Sequence, residues 1–406
     1  MTAEKRLFEG VNVLDFTWAG VGPRTTRFLA EYGACVVKVE SSHRPDPLRT
    51  LPPFKDDISG IDRSYVFTRH SSNKLSFGIN LNHPKAMQVM KRLVAWADIL
   101  AESFTPGSLK TWGLHYEEAK KIKPDIIMMS TCMQGQTGPS SVHPGYGIPL
   151  TSLSGFTHIT GWPDRPPSGT YGPYTDFVAP AFNVVAMLAA LDYKRRTGKG
   201  QHLDLSQNEC GLHFLSPMIL DYEVNGREFT RRGNRSDRAA PHGVYPCKGD
   251  DRWCAIAICS DEEWHSFSKV IGNPGWTKEP AFASLEERMK NIDKLDKQVG
   301  DWTLRYSPEE VMERMQAAGV AAGVVKNGED LNNDPQLEHC DAFPIVNHPE
   351  VGPCAPQRVS IKLSKTSPCA PTPPPCLGEH TEYVCKEFLG IPEEEFVELL
   401  LDHVFE

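Results

Sequence analysis

Short apolar, β-branched runs alternate with stretches of helical spacing in the first third of the chain. Between two of these runs, apolar residues recur at helical intervals from Met87 to Ala97. Strands that alternate with helices indicate a parallel sheet covered on both faces, and hence an α/β, Rossmann-like fold. The runs predicted as strands are Val11–Phe16, Cys35–Val39, Leu75–Asn80, Ile99–Ala101 and Ile126–Ser130.

The longest apolar stretch, Phe177–Leu191, contains Pro180 and Asn183. A membrane span needs about 20 apolar residues, so this stretch predicts a buried helix. Proline is favoured at the first position of a helix, which places the predicted start near Pro180. The strand Gln201–Leu205 is then predicted to lead into another helix, capped by Ser206.

The pattern changes after the basic segment Arg231–Arg238, where short strands and a helix capped at Ser260 predict a smaller α+β domain. A proline-dense tether, Thr366–Pro375, then leads to two short helices. The predicted organisation is a large domain in residues 1–228, a small domain in 229–325, and a return to the large domain in 326–406.

Composition and charge narrow the class of protein. The chain has 406 residues, and its net charge of −9 disfavours nonspecific binding to nucleic acid or to an anionic membrane. No apolar segment of signal-peptide length opens the sequence, so we expect a cytoplasmic protein. The eleven cysteines lack zinc-site spacing, so we expect reduced thiols and no metal site.

Two segments carry candidate chemistry. Gly20-Val21-Gly22 follows the first strand, but Thr25 stands where a dinucleotide fingerprint needs glycine, so a plain turn and a turn that contacts phosphate or coenzyme A both stay open. Asp176 is predicted in a loop before the helix, where a carboxylate stays ionised and can attack an acyl carbon. A helix-capping or loop-stabilising role for Asp176 is also open. His143 is either a general base or a polar loop contact.

Several segments together resemble the family III CoA-transferases. Asn73-Lys74 and the closing Leu377–Thr381 are similar to short family segments, and Asp176 lies at the family's spacing before Ala189-Ala190-Leu191. The longer matching segments are Gly10–Thr17 (GVNVLDFT), Gly33–Glu40 (GACVVKVE), Ala97–Phe104 (ADILAESF) and Thr197–Gln201 (TGKGQ).

The resemblance implies a Rossmann-like large domain, a small domain, and two subunits interlocked as a homodimer or as a heteromer with a related subunit. It also implies that Asp176 is the catalytic carboxylate. Ser103, Phe104 and Tyr146 stand at positions that line the coenzyme A site. Coenzyme A would be a co-substrate, with no tightly bound cofactor.

The implied reaction moves coenzyme A from an acyl-CoA donor to a carboxylic acid through an aspartyl anhydride and an aspartyl-CoA thioester. The donor expected is succinyl-CoA, and the acceptor an aromatic or dicarboxylic acid such as benzylsuccinate. Two alternatives stay open: an α-methylacyl-CoA racemase and a non-catalytic CoA-binding subunit. The racemase histidine position is Tyr146 here, and a tyrosine of pKa near 10 shuttles protons poorly at neutral pH.

Four small residues replace larger ones of the formyl-CoA type of this family. Gly20 replaces a glutamine, Ser41 an arginine, Ser103 an asparagine and Gly147 an acidic residue. These replacements predict a roomier acyl site and altered contacts to coenzyme A.

Overall fold

The computed structural model describes residues 6–406, which divide into two compact units. The large unit contains residues 6–158, 168–229 and 338–406, and the small unit contains residues 159–167 and 230–337. The large unit is therefore discontinuous in sequence. Within the described residues, no disulfide joins any two cysteines.

A six-stranded sheet forms the centre of the large unit, and every neighbouring pair in it is parallel. The strand order is β3-β2-β1-β4-β5-β6, the order of a doubly wound dinucleotide-binding fold. The α/β, Rossmann-like prediction is thus confirmed. The strands are β1 Asn12–Phe16, β2 Cys35–Glu40, β3 Leu75–Gly78, β4 Ile99–Glu102, β5 Ile127–Cys132 and β6 His202–Ser206.

Helices cover this sheet, and 3₁₀ turns at Pro47–Thr50 and Lys55–Asp57 follow β2. Along β1, Val13 packs into the core beneath α1 and α8, whereas Leu14 and Phe16 pack into the opposite core. Burial on both faces explains why the strands read as continuous apolar runs. The helices are α1 Val21–Glu31, α2 Tyr65–Thr68, α3 Ala86–Trp96, α4 Ser108–Thr111, α5 Tyr116–Ile122, α6 Gly147–Leu153, α7 Phe156–Ile159, α8 Tyr174–Thr197 and α9 Gln207–Asn225.

Helix α8 begins six residues earlier than predicted. Tyr174 is its first residue, and Pro180 lies inside it, where proline can donate no hydrogen bond to the Asp176 carbonyl four residues back. Asp176 therefore belongs to the first turn and not to a preceding loop. Among the described residues α8 alone is long and apolar enough to cross a membrane, a test that core helices also pass.

The small unit contains an antiparallel sheet and its own apolar core. Its strands run in the order β7-β8-β9, and 3₁₀ turns at Gly275–Lys278 and Pro280–Phe282 connect its helices. Its elements are β7 His242–Pro246, β8 Trp253–Ala257, β9 Ala321–Val324, α10 Asp261–Val270, α11 Leu285–Lys290, α12 Ile292–Thr303, α13 Pro308–Ala317 and α14 Gly328–Asn332, followed by α15 Pro335–His339.

The last part of the chain returns to the large unit and completes its core. Phe405 forms a β-bridge with Ile79 just beyond β3, and its ring packs against Phe77 and Phe396. The outer side of the sheet is therefore closed by residues more than 300 positions away in sequence. The returning elements are β10 Val346–His348, β11 Gly352–Cys354, α16 Thr381–Tyr383, a π-helical turn Val384–Phe388 and α17 Glu393–Leu401.

Candidate active site

A cleft of about 980 Å³ opens at the carboxyl ends of the strands. Its walls include the segments that follow β1, β2 and β4, together with residues 141–147 and Asp176. The strand order reverses between β1 and β4, and ligands of doubly wound folds bind where this reversal occurs. The volume lies at the upper end of the range for small-molecule sites, about 300–1,000 Å³.

All four residues singled out in the sequence line this cleft: Asp176, Ser103, Phe104 and Tyr146. They come from three separate parts of the chain, and His143 also lines the cleft. Within residues 6–406, no three His, Cys, Asp or Glu side chains are arranged to hold a metal ion.

The Asp176 carboxylate lies between the backbones of two glycines. A Cβ atom placed on Gly20 would lie 2.4 Å from Asp176 Oδ2, and one on Gly147 would lie 2.9 Å from Oδ1. Neither position has space for a side chain, and at Gly147 a Cβ atom would also lie 2.2 Å from the Cβ of Pro173. Glycine at positions 20 and 147 therefore allows the Asp176 carboxylate to approach the backbone, and the roomier acyl site stays a prediction.

Burial dominates the electrostatics of Asp176. It raises the pKa of the carboxyl to about 7, and the nearby Arg24 guanidinium offsets only part of this effect. No residue in the described part of the chain donates a hydrogen bond to the carboxylate, whereas such donors lower carboxyl pKa values. Our expectation that Asp176 stays fully ionised is therefore wrong: near neutral pH both protonation states are populated.

Arg24 lies on α1 and stacks over the ring of Phe177, 4.3 Å from its centroid. Burial, the like charge of Arg27 and that of Arg69 act together against the attraction of Asp176 and lower the pKa of Arg24 to about 10. Arg24 remains a cation at neutral pH and is the charge that most favours ionised Asp176.

The segment Thr17–Gly20, which brings Gly20 against Asp176, is fixed by side chains from elsewhere. Ser103 Oγ accepts a hydrogen bond from Trp18 N at 2.8 Å and donates one to Trp18 O at 3.1 Å. Asp46 accepts a hydrogen bond from Ala19 N at 3.1 Å, which helps to hold Ala19 at a φ of 58°, a region that alanine rarely adopts. Ser103 therefore has a local structural role in addition to lining the cleft.

Below this segment lies a fully buried ionic network that sequence reasoning missed. Lys74 Nζ lies 2.9 Å from Asp15 Oδ2, and Lys38 Nζ lies 2.9 Å from Asp46 Oδ2. Lys38 also donates to the Thr17 carbonyl at 2.6 Å. Burial raises the pKa of Asp15, but the two lysines and the hydroxyls of Thr17 and Thr26 outweigh it and lower the pKa overall.

Aromatic rings form one wall of the cleft. The Phe104 ring packs edge-on against Trp18, with centroids 5.1 Å apart, and against Trp112 at 6.0 Å. The Arg44 guanidinium lies 5.6 Å from the Trp18 ring. Tyr146, which precedes α6, is 68% exposed and stands at the mouth of the cleft. The wall therefore combines apolar surface with one exposed cation.

The family model for the CoA-transferase family III matches residues 8–381. The chain belongs to this family. The family resemblance inferred from the sequence is thus confirmed, the protein is a family III CoA-transferase, and coenzyme A is one of its substrates.

This transferase is 31% identical, over 394 residues, to the succinyl-CoA–D-citramalate CoA-transferase of Chloroflexus aurantiacus, with 97% of each chain covered. It is 29% identical over 396 residues to the succinyl-CoA–L-malate CoA-transferase beta subunit of the same organism, covering 96% of each chain. A crystal structure of a CAIB/BAIF family protein from Brucella suis superimposes with a TM-score of 0.87 at 28% identity, covering 95% of this chain and all of the other.

Proposed function

We propose that this transferase moves coenzyme A from succinyl-CoA to a second dicarboxylic acid, with Asp176 as the covalent nucleophile. The observation that supports this proposal is the Asp176 carboxylate, which lies on the cleft wall between two glycine backbones and accepts no hydrogen bond from any described residue. A carboxylate without donors keeps its electron density available for attack on a carbonyl carbon.

The reaction begins when an Asp176 oxygen attacks the thioester carbon of the donor. The carbon–sulfur bond breaks, coenzyme A leaves as the thiolate, and a mixed anhydride remains on the enzyme. The thiolate then attacks the aspartyl carbonyl, which releases the first acid and leaves an aspartyl-CoA thioester. The acceptor acid repeats these two steps in reverse, leaves as its CoA thioester and regenerates the Asp176 carboxylate.

A carboxyl pKa of about 7 has two effects on this chemistry. It makes the ionised form a stronger nucleophile than an ordinary aspartate, and it requires deprotonation before attack. Arg24 supplies positive charge near the carboxylate without donating a hydrogen bond to it. Attack therefore depends on ionisation through a pKa near neutrality.

The choice of substrates rests on the relatives. The names of both Chloroflexus aurantiacus enzymes specify succinyl-CoA, with D-citramalate or L-malate as the second acid. We therefore place small dicarboxylic acids first among the acceptors. Benzylsuccinate, the acceptor expected from the sequence, is also tested, because it is a dicarboxylic acid with an additional aromatic group.

We also propose that the transferase is dimeric, either as a homodimer or with a related subunit, as the interlocked arrangement implies. Helices α8 and α9 expose large apolar side chains that water solvates poorly. One relative is named as a beta subunit, which supports association with a related chain. A light-scattering mass near 45.2 kDa for the pure protein would contradict a dimer. The exposed residues include Phe177, Val185 and Leu188 on α8 and Phe214, Leu220 and Val224 on α9.

The deciding experiment incubates the enzyme with succinyl-CoA and a panel of acids, followed by mass spectrometry of the acyl-CoA products. The panel contains malate, citramalate, glutarate, benzylsuccinate and oxalate. We expect new CoA thioesters of the dicarboxylic acids, and a hydroxamate at Asp176 when hydroxylamine is added with the donor. Asp176→Asn should lower kcat by about 10⁴-fold or more, because removal of a covalent nucleophile has effects of this size.

Three outcomes would contradict the proposal. Full transfer activity in Asp176→Asn would assign the chemistry elsewhere. Incorporation of deuterium from D₂O at the α-carbon without any acceptor acid would favour the racemase. Binding of CoA without transfer to any acid, by a protein whose partner is absent, would favour the non-catalytic subunit.

A further inference from the structure

The segment Ser41–Arg44 follows β2 and forms part of the cleft rim. Arg44 is exposed, and its guanidinium lies near the Trp18 ring. Among residues 6–406, no carboxylate lies within ion-pair distance of Arg44, so its charge is available to an incoming anion. Arginine binds phosphate well because its planar donors match the phosphate oxygens.

Glu406 holds this rim segment in place. Its Oε2 accepts hydrogen bonds from Ser41 Oγ at 2.7 Å, from Ser42 Oγ at 2.9 Å and from the Ser42 backbone N–H. Its Oε1 lies 2.8 Å from His43 Nδ1. The Glu406 side chain is only 6% exposed and does not line the cleft, so its own charge is directed at the rim and away from the ligand space.

The backbone on which Glu406 stands is itself fixed to the central sheet. Its N–H donates to the Gly78 carbonyl at 3.4 Å, beside the bridge between Phe405 and Ile79. A Cβ atom on Gly78 would lie 2.2 Å from the Glu406 carbonyl oxygen, so glycine is required for this approach. The rim is thus tied to the edge strand β3 through one carboxylate.

We propose that Glu406 is a positioning residue that holds Ser41–Arg44 so that Arg44 contacts the phosphate groups of coenzyme A. This inference rests on the proposed coenzyme A site in the cleft. Coenzyme A carries its phosphates on the nucleotide part, far from the thioester, and the cleft is lined both by Asp176 and by Arg44 of the rim segment. Ser41 keeps its place by donating its hydroxyl hydrogen bond to Glu406.

The test compares coenzyme A with pantetheine, which has the same thiol arm but no phosphates. Calorimetry gives Kd for CoA, and steady-state kinetics give KM and kcat with succinyl-CoA and with succinyl-pantetheine. Arg44→Met should raise the Kd for CoA and the KM for succinyl-CoA about tenfold or more, the effect of one charge-assisted hydrogen bond. Glu406→Gln should raise both about threefold to tenfold, and kcat should stay near wild type.

Succinyl-pantetheine should show unchanged KM in both variants, because it cannot reach the phosphate contact. Glu398→Gln is the matched control, since Glu398 lies on the same C-terminal segment but pairs with Lys85 outside the cleft. Ser42→Ala removes one rim contact without altering Glu406, and a CoA-specific rise in KM here supports the proposal even if Glu406→Gln folds poorly.

Equal changes with succinyl-CoA and succinyl-pantetheine would overturn the inference and indicate a general structural role. Wild-type Kd in Arg44→Met would overturn it as well. A wild-type protein that binds CoA but transfers it to no acid overturns the proposed function alone, whereas failure to bind CoA overturns both.

Discussion

Two aspartates of the large unit, the fully buried Asp15 and the half-buried Asp176, show opposite electrostatic behaviour. Asp15 lies below the sheet's carboxyl edge, is paired with Lys74 and accepts hydrogen bonds from Thr17 and Thr26, and its pKa is lowered. Asp176 has no such donor among the described residues, and burial raises its pKa to about 7. Both carboxyls lose solvation, so the difference comes from their partners.

This comparison indicates how the fold separates two tasks. The paired carboxylate stabilises the segment that follows β1, and this segment brings Gly20 against the unpaired carboxylate. A reactive group benefits from missing hydrogen bonds, whereas a structural group requires them. The site thus depends on a rigid network directly behind it.

The largest expected effect is that the same substitution, Asp to Asn, changes the free energy of unfolding in opposite directions at the two aspartates. Asp15→Asn should lower the free energy of unfolding by about 3–5 kcal/mol at pH 7, because it leaves Lys74 buried without its counter-charge. Asp176→Asn should raise it by about 1–3 kcal/mol at pH 8, because it removes a desolvated charge that Arg24 offsets only in part. Urea unfolding of the two variants beside wild type measures both.

The pH dependence sharpens this prediction. The folded-state pKa of Asp176 is above its unfolded value near 4, so ionising it destabilises the native state as pH rises from about 4 to 7. The increase in the free energy of unfolding caused by Asp176→Asn should therefore vanish near pH 4. The Asp15 contribution is present above pH 4 and is lost only as pH falls through its lowered pKa. Destabilisation by Asp176→Asn at pH 8 would contradict the contrast.

A second substitution alters the position of the reactive carboxylate and not its charge. Gly20→Ala places a Cβ atom 2.4 Å from Asp176 Oδ2, so the carboxylate must shift. We expect kcat to fall about 10- to 100-fold, because displacements of about 1 Å have effects of this size. Gly275→Ala, where a Cβ meets nothing within 4 Å, is the control in the same assay. Unchanged kcat in Gly20→Ala would show that the contact is dispensable.

The smallest effect concerns the cation near Asp176. Arg24→Met keeps an apolar stem over Phe177 but removes the charge that favours ionised Asp176. The acidic limb of the kcat/KM–pH profile should move upward from about pH 7 by about half a unit to one unit. Arg27 and Arg69 also face Arg24. Burial lowers the pKa of nearby His70 to about 3, so His70 supplies no competing titration at neutral pH.

If the acidic limb of the kcat/KM–pH profile moved to lower pH in Arg24→Met, Arg24 could not be the cation that favours ionised Asp176. Arg24→Lys provides the matched comparison, because it retains the charge but not the planar stacking. Its profile should stay close to that of wild type.

Local sequence patterns were sufficient for the parallel sheet. Strands such as β1, Asn12–Phe16, are buried on both faces and are therefore continuous apolar runs that can be recognised in the sequence. The family segments then located Asp176, Ser103, Phe104 and Tyr146, which all line one cleft. These features depend on residues that are close in sequence or in a fixed order.

The remaining features depend on contacts between residues that are far apart in sequence, so the local pattern of apolar and polar residues could not predict them. Pro180 indicated a helix start, yet tertiary packing extends α8 back to Tyr174. Lys38 and Lys74 look like ordinary surface residues in sequence but are fully buried, because Asp46 and Asp15 are folded against them. The close approach of Asp176 to the backbones of Gly20 and Gly147 also depends on folding that no local pattern shows.

The late completion of the β3 edge has a consequence for biosynthesis. Phe77 and Ile79 are covered by Phe396 and Phe405, which leave the ribosome more than 300 residues later. A nascent chain that has already formed its first strands therefore exposes apolar residues at the β3 edge throughout the translation of the small unit. Such intermediates aggregate readily, so this protein should depend on molecular chaperones more than its finished stability suggests.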